Sequence, residues 1–178
     1  IVASPQWENG SVIDAGAVTW GDGSVGTTGI VSSSNSLVGS TLFDRVGETS
    51  NYGFVVTLTN GNYLVGTQGW DNGSLVDAGA VTWGNGMGGT AGAVSAANSL
   101  VGSSASDQVG DDFWGCVVEL ANGNYVIASP SWNLDATYTN VGAITWGSGT
   151  TGVAGPVSTA NSLVGSSLGI IGDTYEEN

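Results

Sequence analysis

One seven-residue stretch occurs three times in this chain at constant spacing. Asp14-Ala15-Gly16-Ala17-Val18-Thr19-Trp20 returns as Asp77-Ala78-Gly79-Ala80-Val81-Thr82-Trp83 and again as Asn140-Val141-Gly142-Ala143-Ile144-Thr145-Trp146, a step of 63 residues each time. Asn-Ser-Leu-Val-Gly keeps the same step from Asn35, Asn98 and Asn161. A fixed period of this length marks propellers, solenoids or arrays. The units of such chains contact mainly their neighbours, and the assembly serves as a structural or binding surface. The folding unit is therefore the 63-residue module rather than the 178-residue chain. Three modules follow: 1–53, lacking its first strand, then 54–115 and 116–178.

Each module reads as short strands. Phe54-Val55-Val56-Thr57-Leu58 and Tyr63-Leu64-Val65-Gly66 flank Thr59-Asn60-Gly61-Asn62, and the third module repeats this around Asn122-Gly123. Asn-Gly between β-branched runs is a strong hairpin signal, and the expected turn is type I′ with positive φ at both central residues. Ala78–Trp83 and Ser99–Gly102 supply two further strands before the pattern restarts at Val118. Glycine is 31 of 178 residues, a composition that penalises helices. The fold class expected is all-β, in tandem four-stranded antiparallel modules.

Four strands per module match one blade of a β-propeller. A parallel β-helix and separate β-sandwich modules are the competing architectures. The β-helix wants a sub-period near a third of the repeat. The apolar centres at Val56, Val65, Val81, Val101 and Val118 are spaced 9, 16, 20 and 17 residues apart and give none. Ile1-Val2-Ala3 aligns with Leu64-Val65-Gly66, so continuing chain or neighbouring copies are expected to complete the end sheets through open strand edges.

Composition narrows the function. Fifteen acidic residues face one basic residue, Arg45, with no Lys and no His, for a net charge of −14. Such a chain repels nucleic acid and anionic lipid surfaces, and its short apolar runs offer no membrane span. With 40% hydrophobic and 9% charged residues it is not of disordered composition. Cys116 is the only cysteine, so no intrachain disulfide forms; it reads as a small buried apolar residue. Without Lys, a Lys–Asn isopeptide cross-link is excluded as well.

The Asn-Gly-Asn-Tyr segments at Asn60 and Asn122, Trp70-Asp71-Asn72-Gly73, Ala-Gly-Ala-(Val/Ile)-Thr-Trp-Gly and Ala-Asn-Ser-Leu-Val-Gly-Ser resemble one tandem repeat found many times over in very large bacterial surface proteins labelled filamentous-haemagglutinin-like or adhesin-like. The resemblance covers essentially the whole chain. It implies an extracellular, cell-surface location and brings no catalytic residues with it. Ala-Gly-Ala-Val with an Asn-Gly-centred hairpin also resembles, more weakly, the integrin-type propeller repeat. That repeat often holds calcium in an Asp-rich loop, whereas the loop here, Thr59–Asn62, has no carboxylate.

Two sets of residues stand out as candidate sites. Trp7, Trp70 and Trp132 lie beside polar turns, where an exposed indole would stack on a sugar ring; packing is the competing role. Trp20, Trp83 and Trp146 each end a β-run and are expected in the core. Glu48, Asp111 and Asp173 recur in register after a glycine and are the candidate oxygen donors for calcium, a cation that takes several such ligands; turn capping is the plainer role. Asp14 and Asp77 recur as Asn140, and Glu8 and Asp71 as Asn133. Paired acids can hydrolyse glycosides, but the same acids in every module argue for architecture, and His and Lys bases are absent. Asn9-Gly10-Ser11 and Asn72-Gly73-Ser74 fit the glycosylation pattern and equally a plain turn. The reading at this level is a non-enzymatic structural or adhesive segment of a bacterial surface protein or fibre. It would self-associate through strand edges and meet cell-surface glycans, with no nucleic acid partner and no membrane insertion; the alternative is a lectin-like, carbohydrate-binding propeller.

Overall fold

The computed structural model describes residues 1–50, 53–111, 116–166 and 171, and among these every regular element is a strand. In chain order they are β1 (Val2–Ser4), β2 (Ala17–Thr19), β3 (Ser36–Val38), β4 (Gly53–Thr57), β5 (Tyr63–Thr67), β6 (Ala80–Gly84), β7 (Gly92–Ala93), β8 (Ser99–Val101), β9 (Val117–Glu119), β10 (Tyr125–Ser129), β11 (Ala143–Gly147), β12 (Gly155–Pro156) and β13 (Ser162–Val164). They form three sheets, ordered β1-β2-β3-β7, β4-β5-β6-β8-β12 and β9-β10-β11-β13.

The expected antiparallel meander is present. In the second sheet β4 pairs with β5, β5 with β6 and β6 with β8, all antiparallel, and the third sheet repeats this with β9, β10, β11 and β13. The turn differs from expectation. Leu58 N donates to Asn62 O at 2.8 Å and Gly61 N to Leu58 O at 2.9 Å, so the loop is the three residues Thr59–Gly61. Only Gly61 takes a positive φ, of 85°, the left-handed residue of a three-residue hairpin rather than of a two-residue type I′ turn. Asn60 Oδ1 accepts from Asn62 N at 3.0 Å and holds the loop shut.

A Thr–Ser hydroxyl pair fixes the register of the inner strands identically in each sheet. Thr19 and Ser36, Thr82 and Ser99, and Thr145 and Ser162 each meet at 2.7 Å. The Asp14, Asp77 and Asn140 position has φ of 49°, 51° and 50°. That is the left-handed region, which Asp and Asn enter more readily than other side chains.

Two features were not expected. The first is parallel edge addition: β7, from the second module, pairs in parallel with β3, and β12, from the third, pairs in parallel with β8. The first and second sheets thus each receive an edge strand from the module that follows. The second is the location of the core. One apolar cluster joins Val18, Leu37 and Val46 to Tyr63, Val65, Trp70, Ala80, Val94 and Val101. The other joins Phe54, Leu64, Val81, Leu100 and Val109 to Cys116, Tyr125, Ile127, Trp132 and Val157. Both clusters lie between successive sheets, and strand alternation sets their membership. On β5, Tyr63 and Val65 face the first sheet while Leu64 faces the third, so all five residues of β5 are buried.

Candidate functional site

The joint between modules is where the recurring side chains of this chain converge. At the first joint Trp20 Nε1 donates to Gly86 O at 2.9 Å; at the second, Trp83 Nε1 donates to Gly149 O at 3.1 Å. Each bond runs from the end of an inner strand to a Gly-x-Gly turn one module on. The indole lies against a second glycine of that turn. A Cβ on Gly89 would stand 2.7 Å from Trp20 Cβ, and one on Gly152 would stand 2.6 Å from Trp83 Cβ. Both glycines also have positive φ, 76° and 74°, so the position is closed to side chains on two counts.

The second joint carries further polar closure. Gly149 O also accepts from Asn60 Nδ2 and Asn62 Nδ2, both at 2.8 Å. Glu119 Oε1 accepts from Thr59 N at 2.9 Å and from Thr59 Oγ1 at 2.7 Å. Val157 N donates to Val101 O at 2.9 Å, as Val94 N does to Val38 O at 3.0 Å at the first joint.

Two buried carboxylates complete the joints. Asp44, 1% exposed, accepts from Ser40 N at 2.7 Å, Thr41 N at 2.8 Å, the Thr41 hydroxyl, and Asp71 N across the joint at 3.3 Å. Asp107 is fully buried. It accepts from Ser103 N and Ser104 N at 2.8 Å, and from Asn133 N at 3.0 Å and Asn133 Nδ2 at 2.7 Å across the next joint. Burial raises the Asp44 carboxyl above its ordinary pKa, against the lowering effect of its hydrogen bonds. Burial also raises Asp77, with the Asp71 charge adding to it. Neither Asp44 nor Asp107 stood out in the sequence. The signal was there: Ser40-Thr41-x-x-Asp44 and Ser103-Ser104-x-x-Asp107 are 63 residues apart, but the third module has Ile170 at that place.

The aromatic expectation is inverted. Trp70 and Trp132 are 4% and 3% exposed and present no face on which a sugar could stack; Trp7 is half-buried. Trp132 Nε1 donates to Ser103 Oγ of the preceding module at 3.1 Å, which fixes the indole inside the joint. Trp20 and Trp83, expected in the core, are half-buried, and Trp146 is 52% exposed. Contact with the adjacent sheet decides these burials, and a polar flanking turn gives no hint of it.

The acids expected to bind calcium sit apart. Glu48 Oε1 accepts from Thr49 N, Ser50 N and Ser50 Oγ at 2.8–3.2 Å and so caps its own turn. Asp111 holds the corresponding place one module on, its N donating to Gln108 O at 3.0 Å as Glu48 N does to Arg45 O at 2.9 Å. Asp173 lies outside the described residues. Among the described residues no three His, Cys, Asp or Glu side chains converge. Asn9 and Asn72 turn their amides inward, donating to Gly39 O and Gly102 O at 3.0 and 3.1 Å. A cavity of about 470 Å³ opens on the first module, lined by residues including Val2, Thr19, Gly21, Gly26 and Thr27. In the second module Tyr63 stands on the equivalent surface, its ring against Gly84 and its hydroxyl accepting from Thr90 N at 3.2 Å. In the third, Tyr125 lies against Gly147, its hydroxyl pushed by burial up to about 12.

Residues 1–48, 57–111 and 119–170 match a family described as a repeat of unknown function, DUF5650. The chain belongs to this family. Each matched segment carries three successive antiparallel strands of one sheet: β1, β2 and β3, then β5, β6 and β8, then β10, β11 and β13. Membership of DUF5650 establishes a tandem repeat and does not extend to the adhesin-like or haemagglutinin-like label. No curated protein and no solved structure matches the chain.

Proposed function

We propose that this DUF5650 chain is a non-enzymatic architectural segment, a stack of sheets forming an acidic extracellular scaffold on a bacterial surface protein or fibre. One observation carries this reading: the recurring Trp, Gly, Asn and Asp residues are engaged in joining one module to the next. Trp20 and Trp83 close on Gly86 and Gly149, and Asp44 and Asp107 reach across the same joints. A recurring binding site would instead keep such side chains open to solvent. The net charge of −14 favours solubility and discourages non-specific association. An adhesive role would belong to the scaffold's outer rims, with host or neighbouring-cell glycans as the partner class.

Native-state hydrogen exchange tests the architecture. Module stability in such an array depends on neighbours, so β5, β6 and β8, covered on both faces, should be the slowest-exchanging strands. Equal protection in all three sheets would overturn the architectural reading. Antibody labelling of intact source cells tests the location, and labelling seen only after lysis would overturn the extracellular assignment.

A further inference from the structure

A polar pocket sits at the first joint, with a volume of about 270 Å³ and a lining of Phe43, Asp44, Arg45, Gly69 and Asp77. Phe43–Arg45 follow β3, Gly69 follows β5 and Asp77 precedes β6, so the pocket opens on turns beyond the strand ends. The exposure belongs to the turn itself: Ser106, the counterpart of Phe43 in the second module, is exposed although that module has a neighbour on either side. Arg45 is the one basic residue of the chain. Its guanidinium carbon lies 5.7 Å from the centre of the Phe43 ring, and Phe43 is 50% exposed. Arg45 Nη2 stands 3.7 Å from Asp14 Oδ2, too far for a hydrogen bond. The Asp77 carboxylate accepts no hydrogen bond from the described residues, so any hydroxyl that donates to it favours its charged form.

The wall of this pocket is polar and unmatched. Among the described residues five buried side-chain polar atoms have no hydrogen-bond partner, and four of them are Arg45 Nε, Thr67 Oγ1, Gln68 Oε1 and Trp70 Nε1. Thr67, Gln68 and Trp70 flank Gly69, each at least nine-tenths buried. Buried polar groups without partners are rare, and each calls for a reason. The second joint treats the same positions differently. Pro130 stands in place of Gln68, and Trp132 Nε1 bonds Ser103 Oγ at 3.1 Å. Ser106, Gln108 and Asn140 stand in place of Phe43, Arg45 and Asp77.

We propose that the pocket at the first joint binds a single neutral sugar ring, and that the second joint has no such site. The Asp77 carboxylate accepts from ring hydroxyls, the Arg45 guanidinium donates to them, and the Phe43 ring meets the apolar face of the sugar. A turn of the Arg45 side chain, 39% exposed, presents its unpartnered Nε, a rotamer change of the kind common on binding. Unmatched donors and an unmatched acceptor share one wall, and a polyol supplies both. Charge selects against the alternatives. An acidic sugar would meet Asp44, Asp71 and Asp77 on a chain of net charge −14, and a cationic group would meet Arg45. The volume falls just below the range of about 300–1,000 Å³ that holds drug-sized ligands, which leaves room for one ring. The inference rests on the glycan partner class proposed above and gives it one place on the scaffold's rim.

Saturation-transfer NMR on the whole chain tests the site. The probes are the methyl glycosides of glucose, galactose, mannose and N-acetylglucosamine, with glucuronate and lysine methyl ester as charged comparators. So small a contact set places the dissociation constant on the order of 1 mM. The variants borrow the residues of the second joint: Phe43→Ser, Arg45→Gln and Asp77→Asn. Ser106, Gln108 and Asn140 hold φ of 60°, 51° and 50° against 64°, 51° and 51° at the pocket, so each substitution suits its backbone. At least one neutral glycoside should bind. R45Q or D77N should weaken it about tenfold or more, the loss of a hydrogen bond to a charged group, and the triple variant should not bind. Three results would overturn the site: no transfer to any neutral probe at about 10 mM, well above the expected constant; binding that survives the triple variant; or a preference for glucuronate or the lysine ester. The exchange order of the strands and the labelling of cells depend on none of these side chains, so the site and the architectural reading can fail independently.

Discussion

Asp44 and Asp107 are acids placed where a hydrophobic core would be expected, and each serves backbone amides of two modules at once. Replacing Asp107 by Ala strands the amides of Ser103, Ser104 and Asn133. An unsatisfied buried donor costs about 1–3 kcal/mol, so the loss expected in Asp107→Ala is about 2–4 kcal/mol, measured by urea unfolding. An unchanged midpoint would mean that water replaces the carboxylate at no cost. Trp83 combines packing with a bond to Gly149 O. Trp83→Ala should cost about 3 kcal/mol, the lower end of the range for large aromatic truncations, because the ring is only half-buried. Trp83→Phe should recover part of this loss, and equal losses for the two would show that ring packing contributes nothing.

At the scale of the elements, the glycine facing each tryptophan separates backbone strain from steric contact. Gly26, Gly89 and Gly152 have φ of 77°, 76° and 74°, so Ala at any of them pays about 1–2 kcal/mol for the left-handed conformation. Only at Gly89 and Gly152 does the added methyl also meet an indole, while nothing lies within 4 Å of it at Gly26. Gly152→Ala should therefore destabilise more than Gly26→Ala. It should also accelerate hydrogen exchange in β10 and β11 before β1 and β2. Equal effects of the two substitutions would mean that the tryptophan moves aside freely.

The same comparison explains what the sequence allowed to be read. The hairpin at Asn60-Gly61 was legible because its chemistry is local: one residue must take positive φ, and an adjoining Asn side chain bonds the loop. β7 and β12 were not legible. Two residues each, Gly92-Ala93 and Gly155-Pro156, carry no alternation, and their pairing depends on a sheet some fifty residues earlier in the chain. The Trp70 and Trp132 positions misled for a related reason. Their flanking turns are polar, but a neighbouring sheet covers their rings. The turn-capping role of Glu48 was legible from its place after a glycine; the joint role of Asp44 and Asp107 was not, because the partners that define it, Asp71 and Asn133, lie one module on.

For the molecule as a whole, charge and burial act together as pH changes. A raised folded-state pKa means that the folded chain holds a proton which the unfolded chain has released. Between those two values stability falls as pH rises, and Asp44 and Asp77 both behave in this way. Glu48 goes the other way: burial opposes its charge, but bonds from Ser50 and Thr49 and the Arg45 charge outweigh it and hold the pKa down. Its contribution is lost only on acidification through that lowered value. Self-repulsion at a net charge of −14 also eases on acidification. The melting temperature should therefore rise as pH falls from neutrality toward the ordinary carboxylate range, about 4. It should fall again in stronger acid. Salt at about 0.5 M, which screens exposed charges, should raise the pH 7 value more than the pH 5 value. A melting temperature highest at pH 7 and indifferent to salt would contradict this account.

The alternation of β5 between its two neighbours also bears on how such a gene can change length. Each joint uses the same two faces, the back of one sheet and the front of the next. A duplication or excision that spans one whole period, wherever its endpoints fall, leaves every remaining joint with the face it requires. A shift of a single residue within a strand exchanges the residues meant for the preceding sheet with those meant for the following one and spoils two joints together. Copy number is thus free to drift in whole modules, while the interior of each module is held to its frame from both sides.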